Sequence, residues 1–65
     1  MNVVVNGAER EVPAGSSTAQ LLEKLGLPTS GVAVAVDGAV LPRAEWDRAL
    51  TEGAAIEVLT AVQGG

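Results

Sequence analysis

Alternation of apolar and polar positions divides the chain into short strands around a single helical segment. Met1 to Val5 contains three consecutive valines, a β-branched run that predicts a strand. Asn6-Gly7 is a hairpin turn signal, and Arg10 to Val12 predicts a short returning strand. Pro13-Ala14-Gly15 then breaks the pairing. Beyond it the period changes. Ser17 followed three residues later by Gln20 has capping-box spacing, in which each side chain satisfies a free backbone N–H. Leu21, Leu22 and Leu25 fall on one helical stripe and predict core, while Glu23 and Lys24 face water. Gly26 sits where a left-handed residue ends a helix, Leu27 is placed to pack back on that end, and Pro28 stops continuation. A helix of about two to three turns depends on tertiary packing to persist.

Val32, Val34 and Val36 alternate with Ala33 and Ala35, a strand apolar on both faces and therefore interior. Asp37-Gly38 is a second hairpin turn, and Ala39 to Leu41 return. Pro42 stops the pairing; Arg43 to Leu50 form a connection with one helical turn around Trp46. After a turn at Glu52-Gly53, Ile56, Val58 and Thr60 alternate with Glu57 and Leu59 in a last strand. One helix covers only one face of five strands, so the sheet curls around it. A hairpin followed by a crossover helix favours a last strand parallel to the first. The predicted class is α+β, a β-grasp arrangement of the kind seen in ubiquitin: a mixed sheet of about five strands around one helix. Residues 1–61 form that domain and residues 62–65 a flexible tail.

Composition narrows the function. A chain of 65 residues makes one domain and buries only about 60% of its unfolded surface, too little for a deep catalytic cleft. An apolar content of 48% argues for a folded domain rather than disorder. There is no Cys, His or Tyr. That removes disulfides, thiol nucleophiles, thiolate metal sites and the commonest general base. Four basic residues against a net charge of −4 exclude nucleic-acid binding and suit a basic face on a protein partner. No run of about 20 apolar residues and no signal-peptide pattern are present, so no membrane role and a cytoplasmic location are expected.

Side-chain chemistry is sparse. The serines and threonines have no histidine to activate them. The eight carboxylates fall where strands, turns and the helix present solvent faces, and Asp37, Asp47 and Glu52 do not have metal-loop spacing. The remaining reactive group is the α-carboxylate of Gly65. A carboxylate is a poor electrophile until ATP converts it to an acyl-adenylate; a sulfur nucleophile then displaces AMP and leaves a thiocarboxylate. Gly64 and Gly65 lack Cβ atoms and thread a narrow tunnel, while Val62 and Gln63 complete the inserted tail. Four extended residues reach roughly 13 Å, enough to enter a partner's active site from outside. A Gly-Gly end is a weak signal alone. It gains weight from its place a few residues after a final strand, in a chain without side-chain catalysts.

These residues resemble the sulfur carrier protein family of thiamine (thiazole) biosynthesis over essentially the whole chain. The likeness runs through the strand leading to Asn6, Ala14-Gly15-Ser16-Ser17 before the Leu-Leu helix, and Ala33-Val34-Ala35-Val36-Asp37-Gly38. It continues through Glu52 to Leu59 and closes on Gly64-Gly65; Val40-Leu41-Pro42-Arg43 with Trp46 is its most discriminating stretch. The resemblance implies an ATP-dependent adenylyltransferase acting on Gly65, and a persulfide from a cysteine desulfurase or rhodanese-like protein as sulfur donor. It also implies thiazole synthase as acceptor. No cofactor is expected on the carrier itself, which is a co-substrate rather than an enzyme and a monomer when free. Gln63 stands where the family often has Ala, and Ala54 where it usually has an acidic residue; Ala54 is expected to be a surface change.

Three further residues are candidate docking contacts. Leu59 points away from the helix if Ile56 and Val58 point in. Arg43 is either a surface charge, a local ion pair or a partner contact. Trp46 either anchors the long connection in the core, the stronger expectation for a lone large aromatic, or meets a partner. Other functions stay open at this point: the small subunit of molybdopterin synthase, a related cysteine- or siderophore-pathway carrier, a ubiquitin-like protein modifier, or an interaction module with an inert tail.

Overall fold

The structure, a computed structural model, describes residues 1–60; residue 61, the last of the predicted domain, and the predicted tail, 62–65, lie outside the described residues. Among the described residues there are five strands: β1 (Asn2–Val5), β2 (Ala8–Glu11), β3 (Val32–Val36), β4 (Ala39–Val40) and β5 (Ala55–Thr60). One helix, α1 (Thr18–Lys24), follows β2, and a single 3₁₀ turn spans Arg43–Glu45. The sheet order is β2-β1-β5-β3-β4, with β5 parallel to β1 and antiparallel to β3. The last strand is therefore the central one. This is the β-grasp topology that the order of elements predicts.

Local chemistry accounts for each boundary. Both hairpins turn through an Asx-Gly pair with positive φ at both positions: Asn6 50° and Gly7 83°, Asp37 51° and Gly38 85°. That is a type I′ turn, whose twist matches antiparallel strands. The helix begins with the predicted capping box. The Ser17 hydroxyl accepts from the Gln20 N–H at 3.2 Å, and the Gln20 side chain accepts from the Ser17 N–H at 2.9 Å. It ends as predicted too. Gly26 takes φ 70°, its N–H donates to the Glu23 carbonyl, and the Leu27 N–H donates to the Leu22 carbonyl at 2.9 Å. Those bonds form a Schellman motif, which satisfies carbonyls that the helix end would leave free.

The core lies between α1 and one face of the sheet. Leu21 and Leu22 pack with Val3, Val5, Val34, Ile56 and Val58, and Leu25 is partly buried at the edge. The long connection seals one side. Its Ala49 bridges Ser17, the Leu50 N–H donates to the Ser16 carbonyl at 2.8 Å, and the Ala19 N–H donates to the Trp46 carbonyl. Val12 ends outside β2 but is buried, and its N–H donates to the Met1 carbonyl.

Two expectations change. β3 does lie between two strands, yet its second apolar face is not buried: Ala33 is exposed and Ala35 half-exposed. Only one layer covers the sheet, and alanine is small enough to stand open to water. Ala54 is not a surface residue; it is 2% exposed. It continues the inward alternation of Ile56 and Val58, and its carbonyl accepts the Val4 N–H at 2.8 Å. An acidic side chain there would enter the core.

Candidate functional site

The C-terminal end of β5 delivers the chain to the predicted tail, so the site is built outward from that strand. Glu57 and Leu59 alternate with the buried Ile56 and Val58, which puts both on the face opposite α1. Strand register extends that face. Ala33 pairs with Leu59, Ala35 with Glu57, and Val40 with Ala35. Leu59 is 67% exposed and Val40 79% exposed. With Ala33, Ala35, Gly38 and Glu57 they border a shallow groove of about 160 Å³.

Charge on this face has one sign. Val4 pairs with Glu9, and Asn2 with Glu11, while the inward Val3 pairs with Arg10. Glu9, Glu11 and Glu57 therefore stand on the open face, and Arg10 on the other side of the sheet. Lys24 is on α1; Arg43 and Arg48 are on the connection. Among the described residues, the open face has apolar side chains and carboxylates but no cation.

The other predicted contacts are placed elsewhere. Trp46 is 5% exposed, and its indole N–H donates to the Leu41 carbonyl at 3.2 Å. Its ring belongs to the core, with Leu50 of the same connection, rather than to a contact surface. Among the described residues Arg43 forms no ion pair: its guanidinium lies 5.1 Å from the Trp46 ring centroid and donates to the Thr29 carbonyl. The ion pair on this connection is Arg48 with Glu45, 2.9 Å apart and exposed, a contact of little energetic weight. Leu59 and Trp46 thus do not share a surface. Any partner contact in this region falls to the exposed Arg43, which covers the ring. Gly65, Gly64, Gln63 and Val62 lie outside the described residues.

Two hydroxyls have structural duties: Ser16 Oγ donates to the Pro13 carbonyl at 2.6 Å, and Ser17 caps α1. The Thr18 hydroxyl is buried without a hydrogen-bond partner among the described residues. Among the described residues no group of three or more carboxylates comes together in a way that would hold a metal ion, and no helix is long and apolar enough to cross a membrane.

Comparison with known proteins settles what this arrangement is. The model of the ThiS family matches residues 3–65, nearly the whole chain and both terminal glycines. The chain belongs to the ThiS family. Two solved structures are similar to it. A crystal structure of the thiamine biosynthesis protein ThiS from Geobacter metallireducens is 32% identical, with a TM-score of 0.78 and full coverage of both chains. A solution structure of a thiamine biosynthesis protein from the same organism is 32% identical, with a TM-score of 0.77, covering all of this chain and 88% of that one. No curated protein sequence gives a significant match. Within the ThiS fold, sequence reasoning missed three residues near β5. The pattern puts Val40 in a returning strand and in the stretch that carries the resemblance, but not on a surface; the β3–β4 register makes it the neighbour of Leu59's groove. The pattern assigns the Asn6 and Asp37 side chains no partner beyond their turns, yet both bond to the backbone of β5. The Asx-Gly signal marks the turn, but not which strand lies beside it.

Proposed function

We propose that the chain is a sulfur carrier for thiazole formation in thiamine biosynthesis, and that the Gly65 carboxylate carries the sulfur. The observation that supports this most is the ThiS family match, which extends through Gly65 on a fold whose central strand leads to that end. The chemistry follows from what a carboxylate lacks. An oxygen of Gly65 attacks the α-phosphorus of ATP on a partner adenylyltransferase, and pyrophosphate leaves. The terminal sulfur of a persulfide, formed by a cysteine desulfurase or rhodanese-like protein, attacks the acyl carbon and AMP leaves. A thiol then cleaves the S–S bond and releases the thiocarboxylate, whose sulfur thiazole synthase accepts. ATP and the enzymatic groups belong to the partners; the chain is a co-substrate in the cytoplasm.

The open sheet face supports the docking half of the reading. Leu59, Val40 and the small residues between them offer apolar area, and Glu9, Glu11 and Glu57 attract a basic rim. The tail has almost no side chain for a partner to recognise, so recognition falls to the folded domain. The test is to incubate the protein with ATP, an adenylyltransferase of this class and a sulfur source, then measure intact mass. The expected result is a gain equal to sulfur replacing oxygen. A ladder of protein conjugates would make the chain a modifier instead. An unchanged mass with every activating enzyme tried would make the tail inert.

A further inference from the structure

At the two ends of β5, side chains take over where backbone pairing stops. β1 pairs with β5 through Val4↔Ala55 and Val5↔Ile56, and the Asn6 N–H donates to the Ile56 carbonyl at 2.9 Å. The next rung would need a peptide group beyond Asn6, but the chain turns away there with φ 50°. The Asn6 carboxamide supplies the rung. Its Oδ1 accepts the Val58 N–H at 2.9 Å, and its Nδ2 donates to the Val58 carbonyl at 3.3 Å. An amide side chain has both a donor and an acceptor, so it imitates the missing peptide. At the other end Asp37 performs the simpler task. Its own N–H donates to the Ala55 carbonyl at 2.7 Å, and its Oδ1 accepts the Ala55 N–H at 2.9 Å. There an acceptor alone is enough.

We propose that Asn6 is a positioning residue for sulfur loading: it fixes the direction in which β5 leaves the sheet, two residues before the strand ends. This rests on the carrier function proposed above. Without the Asn6 rung, the last residues of β5 are held on one side only, by Val32↔Thr60 and Ala33↔Leu59. A shift of the backbone at Val58 moves the point from which the chain leaves the sheet. Misplacement of a reacting group by about 1 Å can cost on the order of a hundredfold in rate. The docking face does not include Asn6, so loss of the rung acts on turnover more than on binding.

The comparison is between Asn6→Gly and Asp37→Gly. Glycine keeps the positive φ at either turn and removes only the side-chain bonds. The N–H of Val58 points to Asn6, whereas those of Glu57 and Leu59 alternate toward β3. Amide exchange at Val58 in Asn6→Gly is expected to accelerate about tenfold relative to Glu57 and Leu59, the loss of one rung. With an adenylyltransferase, kcat for Asn6→Gly should fall about tenfold with KM within about twofold, while Asp37→Gly leaves both within about twofold. Asn6→Asp keeps the acceptor and loses the donor, and should fall between the two. An unchanged Val58 exchange rate in Asn6→Gly overturns the rung itself. A kcat unchanged by Asn6→Gly, or lowered equally by Asp37→Gly, overturns the positioning role. Wild-type protein that accepts no AMP overturns the carrier reading instead, and the exchange experiment separates that failure from the others.

Discussion

On the face of the sheet that α1 covers, valine, leucine and isoleucine interlock with little exposure; on the opposite face the register brings Ala33, Ala35, Ala55, Val40 and Leu59 together around Glu57. Both faces are largely apolar, but they differ in side-chain size. Large branched residues face the helix, where each buried methylene stabilises by about 0.8 kcal/mol. Alanines line most of the open face, where bulk would gain nothing in the free protein. Beside the half-buried Val4, two large residues depart from that economy by standing exposed, Val40 and Leu59, and both adjoin the groove. Exposed apolar side chains are common singly; here they stand together beside carboxylates, with no cation on that face among the described residues, and this supports the docking surface proposed above.

Mutation separates the faces most sharply through stability. Leu22→Ala on the covered face should cost about 3 kcal/mol, a fall of about 15 °C in Tm for a domain this small. A thermal melt close to wild type would mean that this face does not hold the fold. Leu59→Lys should do the opposite. It puts a cation on a face that has none among the described residues, so KM for the adenylyltransferase should rise about tenfold, equivalent to about 1.4 kcal/mol, with Tm within about 3 °C. Steady-state kinetics that show unchanged KM would remove the open face from docking.

Smaller effects refine the contrast. Ser17→Ala removes the cap that starts α1 and should cost about 1 kcal/mol, read as a fall of about 5 °C in Tm, without altering KM. Asp37→Asn should change least. The amide oxygen still accepts the Ala55 N–H, so denaturation should show a difference within about 0.5 kcal/mol. A larger loss there would mean that the charge of Asp37, rather than its acceptor, holds the start of β5.

Local features were readable because their chemistry is local. The capping box at Ser17 and Gln20, the C-terminal Gly26, and both Asx-Gly turns involve residues within a few positions of each other. The outward Leu59 and inward Ile56 and Val58 followed from period-two alternation. The same alternation, carried two residues back, would have put Ala54 in the core; its position next to a turn disguised it. Trp46 could be assigned to the core by size, but the stacking of Arg43 on it needs the fold, as does the Arg43 bond to Thr29. The rungs made by Asn6 and Asp37 were beyond the pattern. They depend on β5, some 50 and 20 residues further along respectively, coming to lie between β1 and β3; such partners are set by topology, not by spacing. The terminal glycines were legible only as chemistry that the rest of the chain lacks.

The most direct test of the carrier account compares the full chain with one ending at Gln63, each carried through a thermal melt and sulfur loading with intact-mass readout. The account predicts equal melting within about 3 °C, because the two glycines removed have no side chain to bury. It also predicts a sulfur-for-oxygen mass gain in the full chain alone, located at Gly65 by fragmentation. Sulfur loading of the shortened chain, or a gain located on any other residue, would contradict it.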